Sequence, residues 1–182
     1  SIASFDGPFR HYILVIAIFS LGNFADAFII LQAQNLGIKK ELIMAIYLFY
    51  NLVYAFSAIP LGALADKIGL KKMVAAGLFF YSAVYAGLAF STAPVHLWIL
   101  FPLYGIYKGM SDGTQRAYLA TLAPEERKAT AFGVYHTVSG IMLLPASIIA
   151  GMLWDSYGAG AAFLFGSAMA FIAGAVFAAR RG

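Results

Sequence analysis

Long apolar runs separated by short polar or charged breaks follow one another along the whole chain. A helix needs about 20 predominantly apolar residues to cross the hydrocarbon core of a bilayer. Backbone groups that face lipid must form their hydrogen bonds within the segment, so each run is predicted to be an α-helix. The pattern predicts an all-α membrane protein with six spans: Tyr12–Ala33, Leu42–Leu64, Met73–Phe90, Val95–Leu122, Thr130–Leu153 and Ala161–Ala178.

The composition agrees with this class and excludes several others. Hydrophobic residues make up 62% of the 182 residues and charged residues 11%, against roughly 45–50% and 25% in soluble domains. The sequence has no cysteine and only three histidines, and it lacks the hydrolase, metalloprotease and phosphate-loop motifs. We therefore predict no enzyme activity, catalytic residue, metal or cofactor. The net charge of +4 is explained by loops between helices, so no nucleic-acid partner is predicted.

The basic residues predict the orientation. Cytoplasmic loops carry an excess of Lys and Arg, and the predicted breaks hold eight such residues on one side against Lys39 and Lys40 on the other. The eight are Arg10, Lys67, Lys71, Lys72, Arg127, Lys128, Arg180 and Arg181. Both termini are therefore expected in the cytoplasm, with residues 1–10 as a cytoplasmic linker and residues 11–182 as a six-helix domain of a plasma or bacterial inner membrane.

An internal repeat relates the two halves of this domain. The pattern Gly-x-Leu-x-Asp-x-x-Gly occurs at residues 62–69 and again 89 positions later, at residues 151–158. This shift superposes spans one to three (about 11–90) on spans four to six (about 95–179). Because three is an odd number, the two copies must insert with opposite orientation. Inverted repeats of this kind recur in secondary transporters.

The segment from Gly62 to Lys72 resembles the signature loop of the major facilitator superfamily, Gly-x-x-x-Asp-Arg/Lys-x-Gly-x-Arg/Lys-Arg/Lys. Leu70 departs from it, since a third basic residue is common there. The Arg127-Lys128 loop and the glycine-rich fifth span are also similar to that family. The resemblance implies alternating access, a mid-membrane site lined by the first and fourth helices, and a conformational latch. The latch residues would be Gly62, Asp66, Lys67, Gly69, Lys71 and Lys72, the alternative being an ordinary topogenic loop.

The resemblance covers half of a twelve-helix transporter. Residues 1–10 read like the end of a connecting loop, so we expect the C-terminal half of a longer protein. The expected partners are the lipid bilayer, a small-molecule or ion substrate, and either an N-terminal six-helix half or a second copy in a homodimer.

Charged side chains inside a membrane are costly and mark functional sites by default. Four lie within predicted spans: Asp26 in the first and Lys108, Asp112 and Arg116 in the fourth. The spacing of the last three places them on one helical stripe, which must face protein or water. The predicted substrate or ion site comprises Asp26, Asn23, Lys108, Asp112, Gln115 and Asn51. Arg116 and His136 form a shallower layer that is predicted to act in gating or proton relay.

Structural interpretations stay open for several of these residues. Asp112 would neutralise Lys108 and Arg116 within one helix, without contact to substrate. His136 would bond a neighbouring helix instead of carrying protons. The asparagines would join helices. Tyr104, Ser111 and Gln115 fall on or beside the charged stripe, and the tyrosines and phenylalanines elsewhere are interpreted as packing.

The function predicted from these residues is secondary transport of a small solute, with proton coupling through Asp26 and Asp112. Uniport and sodium coupling remain open. The alternatives are a transport-inactive or regulatory membrane protein of the same fold, or an oligomeric channel.

Overall fold

The computed structural model describes residues 5–180, and this part of the chain is helical without any β-strand. Apolar composition and the need to satisfy backbone groups internally both favour this outcome. A short 3-10 turn, Glu125–Arg127, precedes the sixth helix. The α-helices are α1 (Gly7–Gly22), α2 (Ala27–Asn35), α3 (Lys40–Ile68), α4 (Leu70–Ala89), α5 (Pro94–Thr121), α6 (Lys128–Tyr157) and α7 (Ala159–Ala179).

Five segments of the described chain are long and apolar enough to cross a membrane: Gly7–Asn35, Lys40–Ile68, Leu70–Ala89, Glu125–Tyr157 and Ala159–Ala179. The remaining predicted span, Val95–Leu122, corresponds to α5, which has 28 residues but carries the charged stripe. This helix packs against both α3 and α4, and its polar residues range from the buried Gln115 to the exposed Arg116. The all-α membrane fold is confirmed.

The first predicted span is not one continuous helix, which corrects the sequence interpretation. Residues 23–26 separate α1 from α2, although the hydropathy pattern runs through them without a break. At Gly22 the backbone of α1 approaches α7 closely, because a Cβ there would lie 2.9 Å from the Gly166 carbonyl oxygen. The Tyr81 hydroxyl donates hydrogen bonds to the Gly22 carbonyl (3.1 Å) and to Asn23 Oδ1 (3.3 Å). Tertiary groups thus replace helical partners at the break.

Helix contacts follow the predicted repeat. The pair α1·α7 corresponds to α4·α5, the pair α1·α6 corresponds to α3·α5, and α4 packs on α7 in the middle. At this central contact, Ser82 Oγ donates to the Ser167 carbonyl (2.9 Å) and Ser167 Oγ donates to the Ser82 carbonyl (2.8 Å). These reciprocal bonds join one helix of each repeat.

The two copies of the glycine pattern end in the same backbone conformation. Gly69 and Gly158 have φ of 94° and 87°, a region that favours glycine. Each is the only residue between two helices, α3 to α4 and α6 to α7. The gap between the predicted spans that end at Leu64 and begin at Met73 is therefore a one-residue turn, and the charged residues on either side of Gly69 belong to helix ends.

Both described ends of the chain meet at one end of the bundle. The helix α1 begins at Gly7, inside the predicted linker, and Arg180 Nη1 donates to the Gly7 carbonyl at 2.7 Å. Lys71 Nζ donates to the Arg180 carbonyl at 2.6 Å, and the Arg127 guanidinium lies 4.4 Å from the centre of the Phe5 ring. Residues 1–4, with Arg181 and Gly182, lie outside the described residues.

Candidate functional site

Asp26 lies at the break in the first span, immediately before α2. Its Oδ1 accepts a hydrogen bond of 2.6 Å from the Tyr104 hydroxyl, and its Oδ2 lies 3.9 Å from Lys108 Nζ. Lys108 also lies over the Tyr104 ring, 5.6 Å from its centre. Asp26 of the first predicted span therefore contacts two residues of the fourth, Tyr104 and Lys108, which lie one helical turn apart on α5.

The charged stripe of α5 does not neutralise itself. The Asp112 carboxylate accepts a hydrogen bond of 3.2 Å from the Tyr54 hydroxyl of α3. Arg116 Nε donates to the Asp112 backbone carbonyl (2.8 Å) and not to its carboxylate. Within residues 5–180 the two ion pairs join Lys108 to Asp26 and Lys128 to Glu125, so intrahelical pairing of Asp112 is not the arrangement seen.

A polar cavity of about 330 Å³ lies between α1, α5 and α6. It brings together most of the predicted site residues: Asn23, Lys108, Asp112, Gln115, Arg116 and His136. Gln115 is held in place from two sides, because its Oε1 accepts from the Tyr135 hydroxyl (2.9 Å) and its backbone carbonyl accepts from the Tyr12 hydroxyl (3.1 Å). Two cations, a carboxylate and two amides therefore line the same cavity.

Asp26 faces a different and much smaller space. A cavity of about 10 Å³ is lined by Asp26 together with Tyr47, Tyr50, Tyr104 and Phe101. Lys108 lines the large polar cavity and Asp26 lines this small aromatic one. The Asp26–Lys108 pair therefore connects the two spaces.

Asn51 is not brought into the polar cavity. Its Nδ2 donates to the Tyr47 carbonyl of its own helix at 2.7 Å. It lines an apolar groove with Ile43, Met44 and Leu48. The position of a residue along a span does not determine which way its side chain faces. A role of Asn51 in substrate or ion binding stays a prediction, and Asn51 does not line the polar cavity with the other predicted site residues.

The predicted latch residues divide into two groups. Gly62 and Asp66 line a cleft of about 260 Å³ between α3 and α5, together with Asp112 and Arg116. Asp112 and Arg116 thus border both this cleft and the polar cavity. The other latch residues, Lys67, Gly69, Lys71 and Lys72, do not line it, and Lys71 bonds the Arg180 carbonyl.

Three tyrosines complete the site. The sequence spacing places Tyr104 beside the charged stripe, whereas Tyr54 and Tyr135 fall among the tyrosines interpreted as packing. Tyr104, Tyr54 and Tyr135 donate to Asp26, Asp112 and Gln115 respectively. For Tyr104 the signal was its position one turn before Lys108. No local pattern distinguishes the other two from structural aromatics. Among the described residues, no group of three His, Cys, Asp or Glu side chains is arranged to hold a metal ion.

Membrane-length helices around a charged cavity define an integral membrane protein. The chain belongs to the major facilitator superfamily, whose family model matches residues 12–181. An uncharacterized MFS-type transporter of Methanocaldococcus jannaschii is 42% identical over 169 residues, which cover 90% of this chain and 42% of that protein.

Two further relatives have names that mention resistance. Multidrug resistance protein MdtG of a Rahnella strain is 30% identical over 152 residues, covering 80% of this chain and 36% of MdtG. Methyl viologen resistance protein SmvA of Salmonella typhimurium is 28% identical over 133 residues, covering 72% of this chain and 27% of SmvA. The chain spans less than half the length of the curated relatives it matches.

Proposed function

We propose that the chain forms one half of a secondary active transporter, without enzyme activity, that moves a small solute by alternating access and proton coupling. The observation that carries this proposal is the Asp26–Lys108 pair, 3.9 Å apart, at a break in a spanning helix. Discontinuous helices with ionisable groups at mid-membrane are where secondary transporters hold substrates and coupling ions.

Asp26 carries the coupled proton in this proposal. Protonation removes the negative charge that attracts Lys108 and leaves the Tyr104 hydroxyl with a weaker acceptor. Lys108 then turns toward the Asp112 carboxylate, which lies one helical turn further along α5. The proton on Asp26 would in this way change the contact between the first and fourth spans.

The solute binds in the polar cavity. Its volume of about 330 Å³ is at the lower end of the range of small-molecule sites, roughly 300–1,000 Å³. Asn23, Asp112 and Gln115 offer hydrogen-bonding groups to a polar solute, and Arg116 and His136 serve as the gating layer. The charges of both signs favour a substrate that carries charge itself.

A second six-helix half covers the cavity in the complete protein. Arg116 and His136 are exposed in this chain, and such groups cannot face lipid at membrane depth. The most apolar stretches of α3 and α6 are only 17% and 11% buried, against 44–50% for the other apolar spans. These two helices therefore offer the surface against which an N-terminal half packs, with a second copy of this chain as the alternative.

The positive-inside rule assigns the end of the bundle that holds Lys71, Arg127 and Arg180 to the cytoplasm. With that assignment, both termini are cytoplasmic. The cleft between α3 and α5 then opens near the cytoplasmic surface, where Asp66 and the exposed Arg116 line it together. We assign Asp66 to a latch that stabilises one access state.

Proton movement in proteoliposomes tests the coupling. The complete natural protein is reconstituted with a pH-sensitive dye inside, and a panel of solutes is added, with organic cations first because of the relatives' names. We expect one class of solute to move protons and Asp26→Asn to abolish this movement. Asp155→Asn is the matched control, since Asp155 is exposed, lies near the C-terminal end of α6 and does not line the polar cavity. Proton movement that persists in Asp26→Asn contradicts coupling through Asp26.

The latch is tested by comparing equivalent positions of the two repeats. Asp66→Asn is expected to slow transport at unchanged expression, because Asp66 borders the cleft with Arg116. Asp155→Asn, at the repeat-equivalent position, should leave the rate unchanged. Equal rates for Asp66→Asn and the parent protein would remove the latch from the mechanism.

A further inference from the structure

A separate cavity lies at the end of the bundle where the described chain ends meet. It has a volume of about 140 Å³ and shares no lining residue with the polar cavity. Its lining includes His11 and Tyr12 of α1, Lys71 of α4, Tyr118 of α5 and, just beyond α7, Arg180. The cavity is thus built by four helices, and the proposed transport mechanism does not use it.

The polar lining of this cavity consists of hydrogen-bond donors and cations. Lys71 Nζ donates to the Arg180 carbonyl, and Arg180 Nη1 donates to the Gly7 carbonyl. A lysine ammonium has three donors and an arginine guanidinium has five, so each retains donors beyond these bonds. Among residues 5–180, no carboxylate lies within 4.0 Å of either cation.

His11 adds a further unsatisfied group. Its Nε2 is buried and makes no hydrogen bond of ordinary geometry within the described residues, although the Val176 carbonyl lies beside the ring. Buried polar groups normally have partners. Two cations with donors to spare and a buried ring nitrogen around one small space favour an anionic ligand.

We propose that this cavity binds a phosphate group, supplied either by the headgroup of an anionic phospholipid or by a free phosphate. A guanidinium matches phosphate oxygens in a bidentate geometry, and an ammonium is a common second ligand. Basic pockets between membrane helices on the cytoplasmic side bind anionic headgroups. The cavity is below the roughly 300 Å³ at which drug-sized sites begin, which suits a compact group.

The bound phosphate would tie α1, α4 and α7 together at the end of the bundle. A ligand that binds only the folded state raises the unfolding temperature, and the rise grows with the logarithm of the ligand concentration once that concentration exceeds the Kd. This effect is independent of transport, so the site can be tested whether or not the proposed function is correct.

The experiment measures the thermal unfolding of the purified chain in a neutral detergent. Three probes are titrated: short-chain phosphatidylglycerol, short-chain phosphatidylcholine and inorganic phosphate. We expect the unfolding midpoint to rise with the logarithm of the phosphatidylglycerol concentration and to stay unchanged with phosphatidylcholine. A similar rise with inorganic phosphate that is less than additive with the effect of the lipid assigns recognition to the phosphate itself, whereas a response to the lipid alone assigns the headgroup as the source. No rise with either anion overturns the proposal.

Adjacent lysines provide a matched pair of variants. Lys71 lines the cavity and Lys72 is exposed outside it, yet Lys71→Gln and Lys72→Gln remove the same charge. Loss of a charge-assisted hydrogen bond predicts roughly tenfold weaker binding for Lys71→Gln and Arg180→Gln. We expect the affinity of Lys72→Gln for phosphatidylglycerol to stay within about twofold of that of the parent chain. Lys71→Arg, which keeps the charge, should retain binding. Equal losses for Lys71→Gln and Lys72→Gln would indicate diffuse surface attraction and contradict a site.

Discussion

The hydrogen bond from Tyr104 to Asp26 can be removed by a substitution that deletes a single oxygen atom. Tyr104→Phe deletes the hydroxyl that donates to Asp26 Oδ1 at 2.6 Å and keeps the ring, which stacks on Tyr50 and Tyr107. A hydrogen bond to a charged group contributes about 1.5–3 kcal/mol. Because the Asp26 side chain is 42% exposed, water can replace part of this bond. We therefore expect a loss of about 1–2 kcal/mol in the free energy of unfolding.

The control is Tyr50→Phe in the same aromatic cluster. The Tyr50 ring lies 5.6 Å from that of Tyr104 and is buried to a similar degree, but its hydroxyl makes no hydrogen bond within the described residues. Unfolding of the purified variants in mixed detergent micelles, followed by circular dichroism, gives both free energies. The expected loss for Tyr104→Phe corresponds to a factor of about 5–30 in the folding equilibrium, and Tyr50→Phe should change it little.

A double-mutant cycle connects the loss to Asp26. In an Asp26→Ala background the acceptor is absent, so Tyr104→Phe should cost about 1 kcal/mol less than it does in the parent protein. If Tyr104→Phe and Tyr50→Phe have the same effect, or if the cycle gives no coupling, the bond does not stabilise the site and the reasoning is refuted.

Two further predictions concern helix packing and use the same unfolding measurement. Gly109→Ala should lower the free energy of unfolding by about 1–3 kcal/mol, because the new Cβ would lie 3.0 Å from a backbone nitrogen of α3. The control is Gly113→Ala on the same helix, where a Cβ would meet nothing within 4 Å. Gly113→Ala should therefore be neutral or slightly stabilising. Equal effects of the two substitutions would contradict the close α3–α5 approach. Ser82→Ala and Ser167→Ala should each cost about 0.6–1.7 kcal/mol, as interhelical bonds in membranes do, and losses near zero for both would mean that their reciprocal bonds add nothing to packing.

The helices and the repeat could be predicted from the sequence because both depend on local patterns. Apolar run length predicts the spans, and the shared Gly-x-Leu-x-Asp-x-x-Gly pattern predicts the equivalent turns at Gly69 and Gly158. The stripe on α5 follows from spacing within one helix. These features need no knowledge of how distant segments pack.

The break after Gly22 and the partner of Asp26 could not be predicted in the same way. The break depends on Tyr81 and on the close approach of α7, which are distant in sequence. The Asp26–Lys108 pair depends on the relative register of the first and fourth spans, which cannot be deduced from the sequence of either helix alone. Asn51 illustrates the same limit, because its position along a predicted span does not determine which way its side chain faces.

Access to the polar cavity from both sides of the membrane tests the central claim of alternating access most directly. The chain contains no cysteine, and Ser139 lines the cavity, so Ser139→Cys provides a single thiol once cysteines elsewhere in the complete protein are replaced. A membrane-impermeant thiol reagent is applied to right-side-out and to inverted vesicles, with Ser167→Cys as the buried control between α4 and α7. We expect Ser139→Cys to react from both faces and Ser167→Cys from neither. Reaction of Ser139→Cys from one face only, or from neither, would contradict alternating access.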